Sequence, residues 1–283
     1  MSNIYFHLAG RLGNQLFQFA FAHQLSLRFN KKITFFVDKY HHVLDYQWGI
    51  ATQMGYCQHV IQLVRSDNRG LLLKASDGCF SRNRPLFEVL NRLMGITRSM
   101  DAFDCPAMPN KPPSLITGFY SNAASIEGSP IFLKELEDYL SRSINIKRII
   151  TDANYEILHI RGTDMKNSIY GTLNREYYLR VPRSELPQYV VTDDKCHAEF
   201  VTKHLKVSGV LTPEDVNPWE AIALMRNSKK VFVSNSTLAW WGGYLCLKNG
   251  GEAVLPKPFY KGNFSASDSL HVKGFKYMEA SFD

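Results

Sequence analysis

Cysteine is scarce and follows no pairing pattern. The five residues, Cys57, Cys79, Cys105, Cys196 and Cys246, are widely spaced and form no C-x-x-C pair, so neither a disulfide framework nor a zinc site is indicated, and a reducing compartment fits best. Long apolar runs are also missing, none approaching the roughly 18 residues of a membrane span. The opening stretch "MSNIYFHLAGRLGNQ" lacks a basic segment followed by an apolar one, which is not the pattern of a secretory signal. The expectation is a cytoplasmic protein without a membrane span. RNA-recognition, zinc-finger and helix-turn-helix patterns are absent as well. Basic residues are dispersed, Arg82, Arg84, Arg92 and Arg98 being the densest group, so nucleic acid is not an expected partner.

What is present is an ordinary globular balance, 45% hydrophobic and 21% charged, which makes disorder the wrong default. A chain of 283 residues is long enough for two domains or one large one. Lys and Arg exceed Asp and Glu by 33 − 26 = 7, an excess that attracts anionic partners or simply solvates one face.

Along the chain, "NIYFHL" reads as a strand, "AGRLGN" as a turn and "QLFQFAFAHQLSLRF" as a helix with Leu16, Phe19, Ala20, His23 and Leu27 on one stripe. "KKITFFVD" returns as a strand, completing a unit of the kind that builds parallel sheets. Residues 40 to 115 have weak periodicity and end in the proline-rich "CPAMPNKPPS". Ser129 and Pro130 then fit the start of a helix, and "INIKRIITDAN" is a suitable place to divide the chain. Beyond it, strands "EILHI", "QYVVT", "KVFVS" and "EAVLP" alternate with helices "KCHAEFVTKHLK", "PWEAIALMRNS" and "TLAWWGGYLCLK". Asn217 and Glu220 form a capping box. The second half is therefore expected to be an open α/β sheet, whose ligands sit beyond the carboxyl ends of the strands.

That rule gathers three motifs into one place. "HIRGTD" follows one strand, "TDD" another and "SNST" a third. Arg161 offers a planar fork of donors suited to phosphate oxygens, and "SNST" leads into a helix start that favours anions. A carboxylate such as Asp194 can accept two hydrogen bonds from the N1 and 2-amino donors of guanine. Alone, each motif can equally be a local ion pair or a helix cap. Together they suit a guanosine diphosphate. Trp240 and Trp241, inside the helix, are expected in the core rather than stacked on a sugar.

"GRLGNQLFQFAFAHQLS", "ITGFYSNAASI", "HIRGTD", "VVTDD" and "VFVSNSTLAWWGGYL" together resemble the motifs of inverting bacterial α-1,2-fucosyltransferases of glycosyltransferase family 11. The resemblance runs from Gly10 to Pro256. It implies a GT-B type α/β fold of two Rossmann-like domains facing a cleft, here 1–145 on the acceptor side and 146–283 holding the nucleotide sugar. GDP-fucose is the implied donor, with no further cofactor and no metal, and the sequence has no Asp-x-Asp after a strand. The implied acceptor is the 2-hydroxyl of a terminal galactose, on an oligosaccharide or a lipid-linked surface glycan such as an O-antigen intermediate, with peripheral inner-membrane association a corollary of the basic balance. The implied catalytic residue is Arg161. Donor-binding residues are His159, Asp164, Asp193, Asp194, Ser234, Asn235, Ser236 and Thr237, with Gly10, Gly13, Asn14 and Gln15 from the first domain. A general base is open among Asp38, Asp164 and Glu176.

One departure stands out. Where the family usually has two adjacent arginines, Gly162 follows Arg161, and Thr163 makes the segment similar to the R-T-D of α-1,6-fucosyltransferases. Transfer in another linkage, to a sugar or a protein hydroxyl, and a non-catalytic nucleotide-sugar or glycan-binding protein are the alternatives.

Overall fold

Short runs rich in β-branched and aromatic residues alternate with helical stretches, and in the structure those runs pair in parallel. The computed structural model of the protein describes residues 4–8, 10–37, 61–65, 96–98, 108–163, 168, 170–262 and 269–283; of 36–37, 61–65 and 96–98 it describes the backbone. Contacts divide the chain into two units, Met1–Leu136 and Glu137–Asp283. The division falls inside a helix, upstream of the 145/146 boundary expected from sequence.

In the first unit, β1 (Ile4–His7), α1 (Leu12–Phe29), β2 (Ile33–Val37), β3 (Ile61–Arg65), β4 (Ile96–Arg98), β5 (Leu115–Thr117) and α2 (Ala123–Glu127) precede α3 (Pro130–Ser143), which spans the division. The sheet has the order β3-β2-β1-β5-β4, and its described pairings are parallel. The helix α1 begins at Leu12, three residues before the expected start, because Gly10 at φ +73° makes the turn and Arg11 is already extended. It is covered on more than one side. Phe19 stacks on Phe35 at 4.5 Å while Phe21 stacks on Tyr120 at 4.2 Å. The expected single stripe holds as far as His23 and fails at Leu27, which is 59% exposed. Ser129 turns its hydroxyl away from its own helix and donates to the Ala20 carbonyl at 2.7 Å.

The second unit contains β6 (Glu156–Ile160), α4 (Arg175–Leu179), β7 (Gln188–Thr192), α5 (Lys195–Thr202), β8 (Gly209–Leu211), α6 (Pro218–Asn227), β9 (Lys230–Phe232), α7 (Thr237–Lys248), β10 (Glu252–Lys257) and β11 (Lys276–Glu279). Its sheet runs β11-β10-β9-β6-β7-β8, again with parallel pairings. β6 is buried at all five positions, as a strand covered on both faces must be. The helix α5 stops earlier than its pattern implies: the Thr202 hydroxyl takes the Ala198 carbonyl at 2.5 Å, the kind of side-chain bond that competes with the helical ladder. Trp240 and Trp241 are fully buried, and the Trp240 indole donates to the Leu270 carbonyl at 2.9 Å. They belong to the core, as expected.

The capping box of α6 is complete. Asn217 Oδ1 accepts the N–H groups of Trp219 and Glu220, and Glu220 returns a bond to the Asn217 N–H at 2.8 Å. Replacing Asn217 with alanine is expected to cost about 1 kcal/mol of stability, read as a lower denaturant midpoint at unchanged slope, with Asn217→Asp recovering most of it. Equal midpoints for Asn217→Ala and the parent would show that water replaces the cap at no cost.

Candidate functional site

The order of strands in the second sheet fixes where a site can open. From β6 the chain lays β7 and β8 on one side, then returns to place β9, β10 and β11 on the other. The loops leaving β6 and β9 therefore part from each other, and open α/β sheets hold their ligands in the crevice at such a switch point, beyond the carboxyl ends. "HIRGTD" and "SNST" are those two loops, and "TDD" ends the neighbouring β7.

His159, the penultimate residue of β6, places Nδ1 2.8 Å from the hydroxyl of Ser234, which follows β9; both are buried. Burial pushes the imidazole down to about 4, with the Asp193 charge opposing and the Arg161 charge adding to the fall. The ring is neutral at pH 7. It acts as a hydrogen-bonding seam between the two parting strands.

Two residues on, the Arg161 guanidinium lies 2.8 Å from Asp193 Oδ2, the two side chains 12% and 18% exposed. The same carboxylate accepts the Gly162 N–H at 2.9 Å and the Thr163 hydroxyl at 2.5 Å. Burial by itself would raise Asp193, but the guanidinium, the Thr163 hydroxyl, the Gly162 N–H and the His159 ring together hold it below its ordinary range. Asp193 thus ties three successive residues of the β6 loop to the end of β7.

Asp194, next in the chain, is the N-cap of α5, accepting the His197 N–H at 2.9 Å. Its side chain also fills the space beside residue 162. A Cβ at Gly162 would lie 2.6 Å from Asp194 Cβ and 2.7 Å from Oδ2. The position where the fucosyltransferase resemblance would place a second arginine therefore has no room for a side chain in this arrangement.

Beyond β9, Ser236 is the N-cap residue of α7 without a side-chain cap bond, and Thr237 is the first helical residue. Asn235 faces elsewhere. Its buried amide donates to the Gly171 carbonyl at 2.8 Å and to that of Tyr170 at 3.4 Å, so it holds the later part of the β6 loop. Glu176 accepts from Asn174 Nδ2 at 2.5 Å in the first turn of α4. Asp164 and Asp38 lie outside the described residues.

Gly10, Gly13, Asn14 and Gln15 belong to the first unit, where β1 and β5 form the corresponding switch point. Gly13 and Asn14 are in the first turn of α1. Gln15 Nε2 donates to the Gly10 carbonyl at 3.0 Å, and Gln18 Nε2 to the Gly118 carbonyl at 2.9 Å. These two buried glutamines fasten the loops that leave β1 and β5, which explains why the "GNQLFQ" and "TGFYS" segments come together.

Sequence reasoning did not find Tyr170 and Tyr260. Their rings are 5.0 Å apart, and Tyr260, which follows β10, is buried near enough to Arg161 for that charge to oppose the upward push of burial on its hydroxyl. The signal was available. "EAVLP" is a fourth parallel strand, and the residues after it fall under the same carboxyl-end rule.

No protein-family model matches the sequence. A curated relative, the α-1,2-colitosyltransferase of Escherichia coli, is 22% identical over 287 residues, 92% of this chain and 93% of its own. Among solved structures, the Escherichia coli heptosyltransferase WaaC with ADP superposes with a TM-score of 0.50 at 10% identity, over 98% of this chain and 93% of that one. The fucosyltransferase NodZ from Bradyrhizobium gives 0.46 at 11% identity, over 87% and 94%. The fold is that of the GT-B glycosyltransferases. The full-length relative and the motifs agree in turn with a bacterial fucosyltransferase-like glycosyltransferase.

Two outcomes are expected from this geometry. Gly162→Arg, which would restore the second arginine, should lose roughly 1–3 kcal/mol through overpacking against Asp194; a denaturant midpoint equal to the parent's would mean that Asp194 yields without cost. Between pH 6.5 and about 4, the unfolded chain protonates His159 while the folded chain does not, so stability falls as pH is lowered through that window. Asp193, whose shift is also downward, removes stability in the same direction but at lower pH. In His159→Gln the slope between pH 6.5 and 4 should flatten, measured by unfolding at each pH.

Proposed function

We propose that this protein is an inverting fucosyltransferase that moves L-fucose from GDP-fucose to a hydroxyl of a surface glycan, the 2-hydroxyl of a terminal galactose being the favoured acceptor. The observation that carries this reading is Arg161, held by Asp193 at the switch point of a parallel sheet beside the start of α7. In the reaction, the bond between the fucose anomeric carbon and the β-phosphate oxygen breaks, and its electron pair leaves on GDP. The acceptor oxygen forms the new bond on the opposite face and gives its proton to a base. Negative charge grows on the diphosphate in the transition state, so donors already fixed toward it lower the barrier selectively. Arg161 and the first N–H groups of α7 supply those donors without a metal.

The neutral His159 adds no charge of its own beside Arg161 and keeps the loop in register. Asp194 is the proposed guanine reader, because a carboxylate accepts the N1 and 2-amino hydrogens together, a pair of donors that uracil lacks. The acceptor is proposed to be a galactose-terminated oligosaccharide or lipid-linked glycan. Among the described residues no helix is long and apolar enough to cross a membrane, and any membrane contact in this reading is peripheral and electrostatic.

A second donor is favoured by the full-length relative, an α-1,2-colitosyltransferase. Colitose differs from fucose by lacking the 3-hydroxyl, so the guanine and diphosphate contacts would be shared and one sugar contact would differ.

Calorimetric titration with GDP-fucose, GDP-mannose and UDP-galactose in the presence of a chelator tests the donor. Binding of both GDP sugars and not the uridine sugar is expected; binding of none would overturn the reading. Arg161→Ala leaves Asp193 without its guanidinium and should lose stability, and its folded fraction should lose on the order of 100-fold in kcat, about 3 kcal/mol. Arg161→Lys should recover little, because a point charge cannot reproduce the fork. Near-parental transfer by Arg161→Ala would remove Arg161 from the mechanism.

A further inference from the structure

The residues after β11 do not end the fold at the sheet edge. The Ala280 N–H still bonds to the Lys257 carbonyl beside β10 at 2.8 Å. From there the chain turns across to the loop that leaves β6, where Phe282 pairs with Leu173 in an antiparallel bridge. Two backbone bonds flank the bridge: Asn174 N–H to the Ser281 carbonyl at 3.0 Å and Asp283 N–H to the Thr172 carbonyl at 2.9 Å. The Ser281 hydroxyl donates to Asn174 Oδ1 at 2.7 Å. Lys261, from the loop after β10, closes the assembly with its backbone N–H on the Tyr170 carbonyl at 2.8 Å and its ammonium on the Asp283 carbonyl at 2.6 Å.

Every carbonyl from Tyr170 to Thr172 is thus occupied, that of 170 by Lys261 and Asn235, that of 171 by Asn235 and that of 172 by Asp283. Gly171 is the pivot. Its φ is +69°, and a Cβ there would lie 2.6 Å from Lys261 Cβ and 3.2 Å from the Phe282 ring. The Phe282 ring itself packs on the apolar cluster that includes Leu158, Ile160, Leu173 and Tyr177. Glycine takes this left-handed turn without strain, any side chain there would collide with Lys261, and the groups that hold the turn come from three distant parts of the chain. What the turn places is the Tyr170 ring against Tyr260, beside Arg161.

We infer that Ser281 and Phe282 are positioning residues for the donor loop Tyr170–Asn174, a role that rests on the nucleotide-sugar reading above. They act through the loop and touch no reacting atom. Without the strap, the loop leaves the wall of the crevice. Ground-state and transition-state binding then weaken alike, which raises KM and spares kcat.

Phe282→Ala, Phe282→Leu and, as a control, Val201→Ala from the same apolar cluster separate this role from general support. Phe282→Ala is expected to raise the KM and Kd for GDP-fucose about tenfold with kcat within about twofold, Phe282→Leu to recover most of the loss, and Val201→Ala to lose stability with KM unchanged. Amide hydrogen exchange of residues 170–174 in the full chain should accelerate in Phe282→Ala and not in Val201→Ala. Unchanged KM, or unchanged exchange in that loop, overturns the strap. If the parent protein neither binds nor transfers from GDP-fucose, the donor reading has failed, and the exchange comparison still decides whether residues 281–282 hold the loop.

Discussion

The Asp193 carboxylate, taken out of water at the end of β7, is the group on which the rest of the site depends. Desolvation pushes its pKa up, and a guanidinium, a hydroxyl and a backbone N–H that converge on it more than offset that push and favour the charged form. Those three donors belong to consecutive residues, and holding them fixes the path of the chain as it leaves β6. That path in turn brings Gly162 against Asp194, which is free to cap α5 only where residue 162 carries no side chain. One buried charge therefore ties Arg161, Gly162 and Thr163 to the end of β7, beside the residue that caps the next helix. Removing either partner of such a pair leaves the other charge uncompensated.

A second seam joins β6 to β9 through His159 and Ser234. An imidazolium here would sit beside Arg161 in a buried setting, and burial instead keeps the ring neutral. Arg161 brings its positive charge to the carboxyl end of the sheet, the end at which α7 begins with its positive dipole. The room that a second guanidinium after Arg161 would need is taken by the Asp194 helix cap.

In the first unit the same architecture is fastened differently. Gln15 and Gln18, one helical turn apart on α1, spend their amides on the loops after β1 and β5, so loop geometry there rests on neutral hydrogen bonds inside a core of stacked aromatic rings. Burying an amide N–H without a partner would cost several kcal/mol, and the two carbonyls supply partners for the amide nitrogens.

The sequence by itself determined whatever depends on neighbours along the chain. The strands "EILHI" and "QYVVT" and the helix "TLAWWGGYLCLK" occupy the spans their patterns imply, and Asn217 with Glu220 announces its own helix start. The switch-point rule then brought Arg161, Asp193 and Ser234 to one end of one sheet before any distance was known. Tertiary structure decided the rest. Leu27 continues an apolar stripe yet faces solvent, because the neighbours that cover α1 stop short of it. The helix start at Leu12 came from the turn at Gly10, and the early stop of α5 from a threonine hydroxyl that periodicity does not register. Asn235, read from sequence as part of an anion site, is seen to hold Tyr170 and Gly171, and Ser281 and Phe282 carry no motif at all. Their roles come from hydrogen bonds to residues more than 60 and more than 100 positions away, and a pattern read over a few turns contains no information about a partner at that separation.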